Sequence, residues 1–473
     1  MDNQSFREQA HRMVDWMADY MGEVENFPVK SQVLPGEIYN SLPEFAPSKG
    51  EEMSAIMRDF NTIIMPGITH WQSPNFFAYF PANSSYPSVL AEMLTATLGT
   101  QCMIWETSPA ATELEERMMN WLKAMTGLPS GWHGVIQDTA STSTLAAILS
   151  ARERLTDHAS NQEGPSALFG LRVYCSSETH SSVEKAVKIA GLGRANLVKI
   201  SVDEHFQMDV TALKQAIDRD IEAGLKPACV VASLGTTGCT AIDPLAAIAR
   251  LTTKYNIWLH VDAAFAGTAL VLPEYRYMLE GIEMADSFVF NPHKWMFTNF
   301  DCSAYFVKNK EVLIRTFEIL PEYLKTGTRG QVNDYRDWGV PLGRRFRALK
   351  LWFVIRTFGI EGIQGKVREH IRLANWFKNE IIADGRFELM APVTMNLVCF
   401  RLRPKGIIDI NDLNRINEAL LSRLNANGKI YLTHTKLNGA YTLRMVIAQT
   451  YVQDRHVFSA WEQVRTMADE LNT

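Results

Sequence analysis

Between Gly134 and Ala304, short β-rich runs alternate with runs of helical period, and no other feature narrows the folds open to this chain so far. LRVYCSS precedes SSVEKAVKIA, NLVKISVD precedes VTALKQAIDRDIEAG, and ACVVASLG precedes DPLAAIARLTTKY; IWLHVDAA and SFVFNPHKW follow. A strand buried on both faces reads as a continuous apolar run, and a helix between two such runs returns the chain to a parallel neighbour. The alternation predicts βαβ units around a largely parallel sheet. Ligands of such sheets bind outside the carboxyl ends of the strands, so the polar residues that interrupt those ends are the candidates for chemistry.

The flanking text differs. The opening stretch places Phe6, Ala10, Met13, Val14, Met17 and Met21 on one stripe of helical period. The Pro-punctuated QVLPGEIYNSLPEFAPSKG that follows offers the stripe little to pack on, so it is expected to be buried on another subunit. From Phe60 to Trp105 only Glu92 carries a full charge. Pro66, Pro74, Pro81 and Pro87, with polar Gln72, Asn75, Asn83, Ser84 and Ser85, exclude a lipid-facing helix there. The dry, aromatic HWQSPNFFAYFP suits a pocket wall or a subunit interface. After Gly343 comes the basic run RRFRALKLWFVIRTFG, whose Arg344, Arg345, Arg347 and Lys350 are expected on a helix face or an interface. The remainder mixes helices with strands, as a smaller α+β domain would.

With 473 residues, 47% of them hydrophobic, the chain has ample material for a core. Its net charge of −5 argues against nucleic acid or an anionic membrane as partner, because both require a cationic field. Cys102, Cys175, Cys229, Cys239, Cys302 and Cys399 are irregularly spaced and form no C-x-x-C pair, as expected of reduced thiols in a cytosol. The start, MDNQSFREQAHRM, lacks the apolar core of a signal peptide.

Lys294 lies in SFVFNPHKWMF, an apolar run with no amphipathic period. Burying an unpaired ammonium is expensive, so such a lysine either snorkels to solvent or is used. Desolvation lowers its pKa, as a Schiff-base nucleophile requires. Asp262 ends IWLHVDAAFAG, as a turn cap or as a carboxylate facing a cationic ligand atom. DTASTSTLAAILSARE places Thr139, Ser141, Thr142 and Ser143 at a helix start, either as a plain N-cap or, with free backbone N–H groups, as a phosphate cradle. His180 precedes a capping box from Ser181 to Glu184, and Thr237 stands in the strand-end turn SLGTTGCT. GLGRAN lacks the last glycine of a dinucleotide fingerprint. P-loop, H-E-x-x-H, paired-cysteine and G-x-S-x-G patterns are missing from the sequence.

Taken in order, the helix-start hydroxyls, His180, Thr237, Asp262 and Lys294 resemble the group II pyridoxal-phosphate decarboxylases, and among them the aromatic L-amino-acid decarboxylases of bacterial spelling. HWQSPNFFAYFP, SPAATELEERMMNWL, GVIQDTAS, HSSVEKA, SLGTTG, WLHVDAAFAG, NPHKW, DCSAYFVK and PLGRRFRALKLWF carry the resemblance. It implies the fold type I, aspartate aminotransferase-like α/β architecture. An N-terminal helical segment (1–85) would wrap a dimer, a large domain (86–355) with a mostly parallel seven-stranded sheet would bind pyridoxal 5′-phosphate, and a small α+β domain (356–473) would follow. Lys294 would hold the cofactor covalently and yield to the substrate's amino group. Asp262 would keep the pyridine nitrogen protonated, and His180 would lie on the ring and contact the substrate carboxylate. Thr237 would contact the cofactor or His180. Ala140, Ser141, Asn291 and His293 would hold the phosphate, with Thr139 and Ala264 also against the cofactor.

Tyr323, in PEYLKTGTRGQVNDY, would protonate the α-carbon and so direct the reaction to an amine; relatives with phenylalanine there tend to make aldehydes oxidatively. The implied reaction converts an aromatic L-amino acid to its arylethylamine and CO2 in a cytoplasmic homodimer with shared active sites. Trp71, Tyr79, Phe80, Pro81 and Ala82 would line the substrate pocket with His180. Gln101 and Met103 would come from the partner chain, and Gly343 would leave space for a large ring. Animal relatives carry threonine where Ala82 stands, an aliphatic residue at 101 and an aromatic one at 103, so catechol recognition through position 82 is not expected. Asp138, beside the implied phosphate site, is expected to point away from it. The competing readings are an aromatic aldehyde synthase, a decarboxylase of a non-aromatic amino acid, and a catalytically silent homologue. Retention of Lys294, Asp262, His180 and Tyr323 together speaks against the last.

Overall fold

The structure, a computed structural model, describes residues 1–319 and 331–471. Among them seven strands form the larger sheet: β1 (His133–Gln137), β2 (Leu171–Ser176), β3 (Leu197–Ile200), β4 (Lys226–Ser233), β5 (Trp258–Asp262), β6 (Ser287–Phe290) and β7 (Ser303–Val307). Their order is β1-β7-β6-β5-β4-β2-β3. The run from β3 to β6 is parallel throughout, whereas β7 lies antiparallel to both β6 and β1. Every residue of β5, β6 and β7 is buried, which is why these strands read as largely apolar runs, interrupted only by His260, Asp262, Ser287 and Ser303. The helices Ala140–Leu155, Ser182–Ile189, Val210–Glu222 and Leu245–Tyr255 carry the connections. Val183, Ala186 and Val187 pack with Ile148 and Ala151 against Val173, Cys175, Cys229 and Val231.

This order sets up the site. β2, β4, β5 and β6 are consecutive neighbours with their carboxyl ends on one side. His180, Thr237, Asp262 and Lys294 follow or terminate those four ends in turn. Two antiparallel steps, through β7, give β1 the same direction as β6, so the segment after Gln137 emerges on that side as well.

The chain divides into two compact units: Ala82–Glu369 with Ala391–Met395, which holds the large sheet, and Met1–Pro81 with His370–Met390 and Asn396–Thr473. The first and last segments, expected as separate domains, thus share a unit. Main-chain hydrogen bonds join them: Val29 N–H to Gly428 O (2.8 Å), Phe77 N–H to Tyr431 O (3.0 Å) and Val446 N–H to Phe77 O (2.9 Å). This unit contains the antiparallel sheet of β8 (Phe387–Leu389), β9 (Leu397–Leu402), β10 (Thr433–Leu437) and β11 (Ala440–Val446), in the order β10-β11-β9-β8. Its first helix, Asn3–Glu23, buries none of its residues, although Trp16 packs edge-on against Phe60 and Tyr20 OH lies 2.9 Å from His70 Nδ1. Of the expected apolar stripe, Phe6 and Val14 are exposed, and Ala10, Met13, Met17 and Met21 are half-buried within the described chain.

The four basic residues after Gly343 find carboxylates internally. Arg344 pairs with Glu115 at 2.6 Å, Arg345 and Lys350 share Glu92 at 2.5 and 2.9 Å, and Arg347 grips Asp301 with two bonds of 2.9 and 3.0 Å. The helix they enter, Arg347–Asp384, is broken at Gly359, whose φ is +64°, a conformation that glycine adopts without strain. No helix among the described residues is long and apolar enough to cross a membrane.

Candidate active site

Lys294 sits in a single helical turn, Pro292–Trp295, that starts directly after β6. Pro292 presets the turn at its first position, and Lys294 N–H closes it on Asn291 O at 2.9 Å. The turn is clamped from outside. Asn83 N–H donates to His293 O at 3.1 Å, Asn83 Nδ2 donates to Lys294 O at 2.6 Å, and Ser85 Oγ donates to Phe297 O at 2.7 Å. Pro292, His293, Trp295 and Met296 are buried, and Lys294 keeps a partly open surface. Burial pushes its ammonium pKa down, against the opposing attraction of Asp262.

Asp262, the last residue of β5, is buried and accepts Ala264 N–H at 3.0 Å through Oδ1. Two residues earlier on the same face of the strand, His260 is fully buried. Its Nδ1 lies 2.9 Å from Ser287 Oγ and its Nε2 3.4 Å from Thr144 Oγ1. Burial lowers its pKa to about 4, so it is a neutral ring supporting the strand end.

His180 is in the loop after β2. Its Nδ1 accepts Ser182 N–H at 3.2 Å, with Ser182 Oγ at 2.8 Å. A backbone amide can only donate, so Nδ1 is the acceptor and the neutral ring carries its proton on Nε2. Burial, the leading cause, and Lys294 lower the His180 pKa, while Asp262 acts the other way. His180, Asp262 and Lys294 are thus close enough to feel one another's charge. The expected Ser181–Glu184 capping box does not form. Ser181 makes no side-chain cap, His180 takes the Ser182 amide, and Glu184 is drawn to Arg194 and Lys199 at 3.0 and 3.1 Å. Thr237 lies exposed in the turn after β4.

After β1, Thr139 caps the helix Ala140–Leu155 by accepting Thr142 N–H at 3.4 Å. Asp138, just before this helix start, accepts the N–H of its neighbour Thr139 through Oδ1 at 2.6 Å. Asn291 Oδ1 accepts Ser303 Oγ–H at 2.7 Å, and Asn291 N–H donates to Ala264 O at 2.9 Å, joining the ends of β5, β6 and the start of β7. His293 Nδ1 accepts Cys302 N–H at 2.9 Å. Burial, chiefly, depresses its pKa to about 3, so His293 is neutral with a donor at Nε2.

Trp71, Tyr79 and Phe80 belong to the other unit, where they form an aromatic group. Trp71 stacks on Tyr79 at 5.6 Å, Tyr431 meets Tyr79 edge-on at 6.0 Å, and Arg444 lies over Phe80 at 5.5 Å. Tyr79 has φ +51°, costly for a residue with a side chain, and its ring is left exposed. Pro81 is buried and Ala82 partly so. Gln101 and Gly343 are neighbours: Gln101 Oε1 accepts Arg344 N–H at 2.7 Å, and Met103 O accepts Arg336 N–H at 2.9 Å. Tyr323 lies outside the described residues. Ser303 and His260 carry no signal of their own in the sequence, and Asn83 stands out there only as a polar interruption of a dry stretch. The Asn-Ser-Ser triplet in an otherwise dry stretch was the one signal that polar groups there have a buried task.

The residues after five strand ends thus offer a desolvated amine, a buried carboxylate, an imidazole with its donor on Nε2, and a helix start beside a second neutral imidazole donor. A carbonyl, a basic ring nitrogen and a phosphate are the groups such a set accepts, and pyridoxal 5′-phosphate carries all three. Residues 35–403 match the family model described as the pyridoxal-dependent decarboxylase conserved domain. The chain is 44% identical to an aromatic-L-amino-acid decarboxylase of Sus scrofa, over 100% of this chain and 98% of that protein. It is 42% identical to a phenylacetaldehyde synthase of Arabidopsis thaliana, over 100% and 97%. The structure superposes on Catharanthus roseus tryptophan decarboxylase in complex with L-tryptophan with a TM-score of 0.94 and 38% identity, covering 100% of this chain and 99% of the other.

Proposed function

The chain belongs to the pyridoxal-dependent decarboxylase family, and from that membership we propose which residues let it convert aromatic L-amino acids to arylethylamines and CO2. The enzyme is a pyridoxal 5′-phosphate-dependent carboxy-lyase. When bound, that group supplies an electron sink for the pair left behind by CO2. Lys294 is the residue that holds it, and the observation that carries this assignment is an amine desolvated at a strand end and clamped by Asn83. Asp262 faces the ring nitrogen with a negative charge. Ala140, Ser141, Asn291 and His293 hold the phosphate through neutral donors, with Thr139, Ala264 and Thr237 against the same group.

His180 donates through Nε2 to the substrate carboxylate. As a neutral donor it orients that group without pairing ionically with it, and so does not oppose its departure as neutral CO2. Tyr323 delivers the proton that replaces the carboxylate at the α-carbon, which sets amine over aldehyde. Trp71, Tyr79, Phe80, Pro81 and Ala82 form the aromatic-lined pocket, whose flat apolar walls favour an aromatic side chain.

The protein acts as a cytoplasmic homodimer whose subunits share their active sites. On the helix Tyr86–Leu98, Tyr86, Leu90, Leu94 and Leu98 form a stripe exposed to 52%, 53%, 46% and 62%, and the first helix leaves Phe6 and Val14 of its own stripe exposed. Two such faces on one chain support burial between copies. Sedimentation that returns a monomer would contradict this reading.

Product analysis tests the whole assignment. The protein and its cofactor are incubated with aromatic and acidic amino acids, and amine, aldehyde and CO2 are quantified, with Lys294→Ala as control. Amine matched by CO2 from aromatic substrates alone, lost in the control, is the expected result. Aldehyde as the main product would favour the second reading, an aldehyde synthase, to which the similarity to a phenylacetaldehyde synthase lends support.

A further inference from the structure

We infer, resting on the proposed role of His293 at the cofactor phosphate, that Arg347 is a positioning residue for that histidine. Through Asp301 it fixes the peptide that keeps the His293 proton on Nε2, the nitrogen left free to donate to the phosphate. Arg347 comes from the basic run after Gly343, and its partner Asp301 directly precedes the residue whose amide holds the His293 ring.

The link is short and hydrogen-bonded at each step. Arg347 Nε and Nη2 donate to the two carboxylate oxygens of Asp301 at 2.9 and 3.0 Å, and only 14% of the arginine side chain and 16% of the aspartate side chain are exposed. Asp301 supplies the carbonyl half of the peptide unit that carries Cys302 N–H. That N–H donates to His293 Nδ1 at 2.9 Å, and Cys302 O accepts His293 N–H at 3.3 Å. One residue further on, Ser303 is held by β7 and donates to Asn291 Oδ1. The peptide against His293 is thus fixed from one side by the sheet and from the other by Arg347.

The direction of the Cys302 amide decides what His293 can offer. A neutral imidazole has one donor and one acceptor, and the bond made by one nitrogen sets the role of the other. With Nδ1 accepting from a backbone amide, Nε2 carries the proton. Nε2 makes no hydrogen bond among the described residues, and His293 is only 3% exposed. Burial, chiefly, pushes the ring pKa down to about 3, so a second proton does not substitute for the correct tautomer. If the amide turns away, the proton is free to move to Nδ1, and Nε2 then presents a lone pair to an anion.

An arginine suits this task. Its planar fork meets both carboxylate oxygens at once and so fixes direction as well as distance. The other cations of the run are committed elsewhere, Arg344 to Glu115 and both Arg345 and Lys350 to Glu92.

The test compares pyridoxal 5′-phosphate with pyridoxal, which lacks the phosphate, each titrated into the cofactor-free full chain and read by tryptophan fluorescence. The quantity is the ratio of the two Kd values in wild type, Arg347→Met and Asp301→Asn. General damage around Lys294 weakens both aldehydes alike and cancels in the ratio, whereas loss of a phosphate donor weakens only one. Both variants are expected to reduce the advantage of the phosphate about tenfold, the weight of one charge-assisted hydrogen bond. In a His293→Ala background, Arg347→Met is expected to leave the ratio unchanged within about twofold, because the arginine acts through that ring. A ratio within about twofold of wild type in either single variant, or a further loss of about tenfold on top of His293→Ala, overturns the inference. A wild type that binds the two aldehydes equally well overturns the phosphate assignment in the proposed function, and this inference with it.

Discussion

Asn83 donates its side-chain amide to the main-chain carbonyl of Lys294 across 2.6 Å, while its own backbone N–H holds the carbonyl of His293. The candidate lysine is thereby positioned by a residue 211 positions earlier in the chain. The clamp acts on the backbone and leaves the amine itself to chemistry.

Replacing Asn83 by alanine removes that clamp and leaves a carbonyl beside the site without its donor. The expected cost is about 1–3 kcal/mol of stability. Because the lysine turn then loses its register, kcat is expected to fall by about 10- to 100-fold, with KM changed far less. Melting curves and steady-state kinetics check both; a variant with wild-type kcat would show that the turn holds itself.

Tyr323→Phe is expected to divert product from amine to aldehyde in the presence of oxygen. A positioned general acid contributes about 10²–10⁴-fold, enough to decide between two fates of one intermediate. Continued clean amine formation by the variant would sink the role given to Tyr323.

His260 should make the fold sensitive to acid. Its folded pKa, about 4, lies below the ordinary 6.5, so between these values the unfolded chain binds a proton that the folded one refuses. The neutral ring's contribution is complete above about 6.5 and is lost as pH falls toward 4, by about 1.4 kcal/mol per pH unit. Asp243, buried with its carboxyl raised to about 7, tilts stability the opposite way. The His260 share is therefore read as wild type minus His260→Gln, in denaturant titrations at pH 7.5 and 5. Equal losses in both proteins would exclude it.

All six cysteines are buried and free, and burial pushes the thiols of Cys102, Cys175 and Cys302 up to about 12. Thiolates carry the reactivity, so a thiol reagent at neutral pH is expected to label none of the six in the native protein and all six in denaturant. Rapid native labelling of any one would show that its burial is transient.

Much of the large sheet was legible because its cause is local. WLHVD and SFVF are dominated by large apolar residues, and a run of that kind followed by a helical period can be read from neighbours in the sequence. The candidate amine, carboxylate and imidazole were legible for the same reason: Lys294, Asp262 and His180 each interrupt a pattern where the pattern ends. Local reading failed where two local motifs competed. Ser181 and Glu184 have the spacing of a capping box, yet His180 reaches the helix amide first and Glu184 goes to Arg194 and Lys199.

By itself, then, the sequence determined that strands and helices alternate, and which polar residues stand at the strand ends, since periodicity and burial preference are properties of short stretches. The tertiary structure decided which ends are neighbours. It placed β7 antiparallel between β1 and β6, brought Asn83 to Lys294, and turned Gln101 by seating it on Arg344, 243 positions away. Such pairings are chosen by packing and by the demand that buried polar groups find partners, and no window of sequence contains both members.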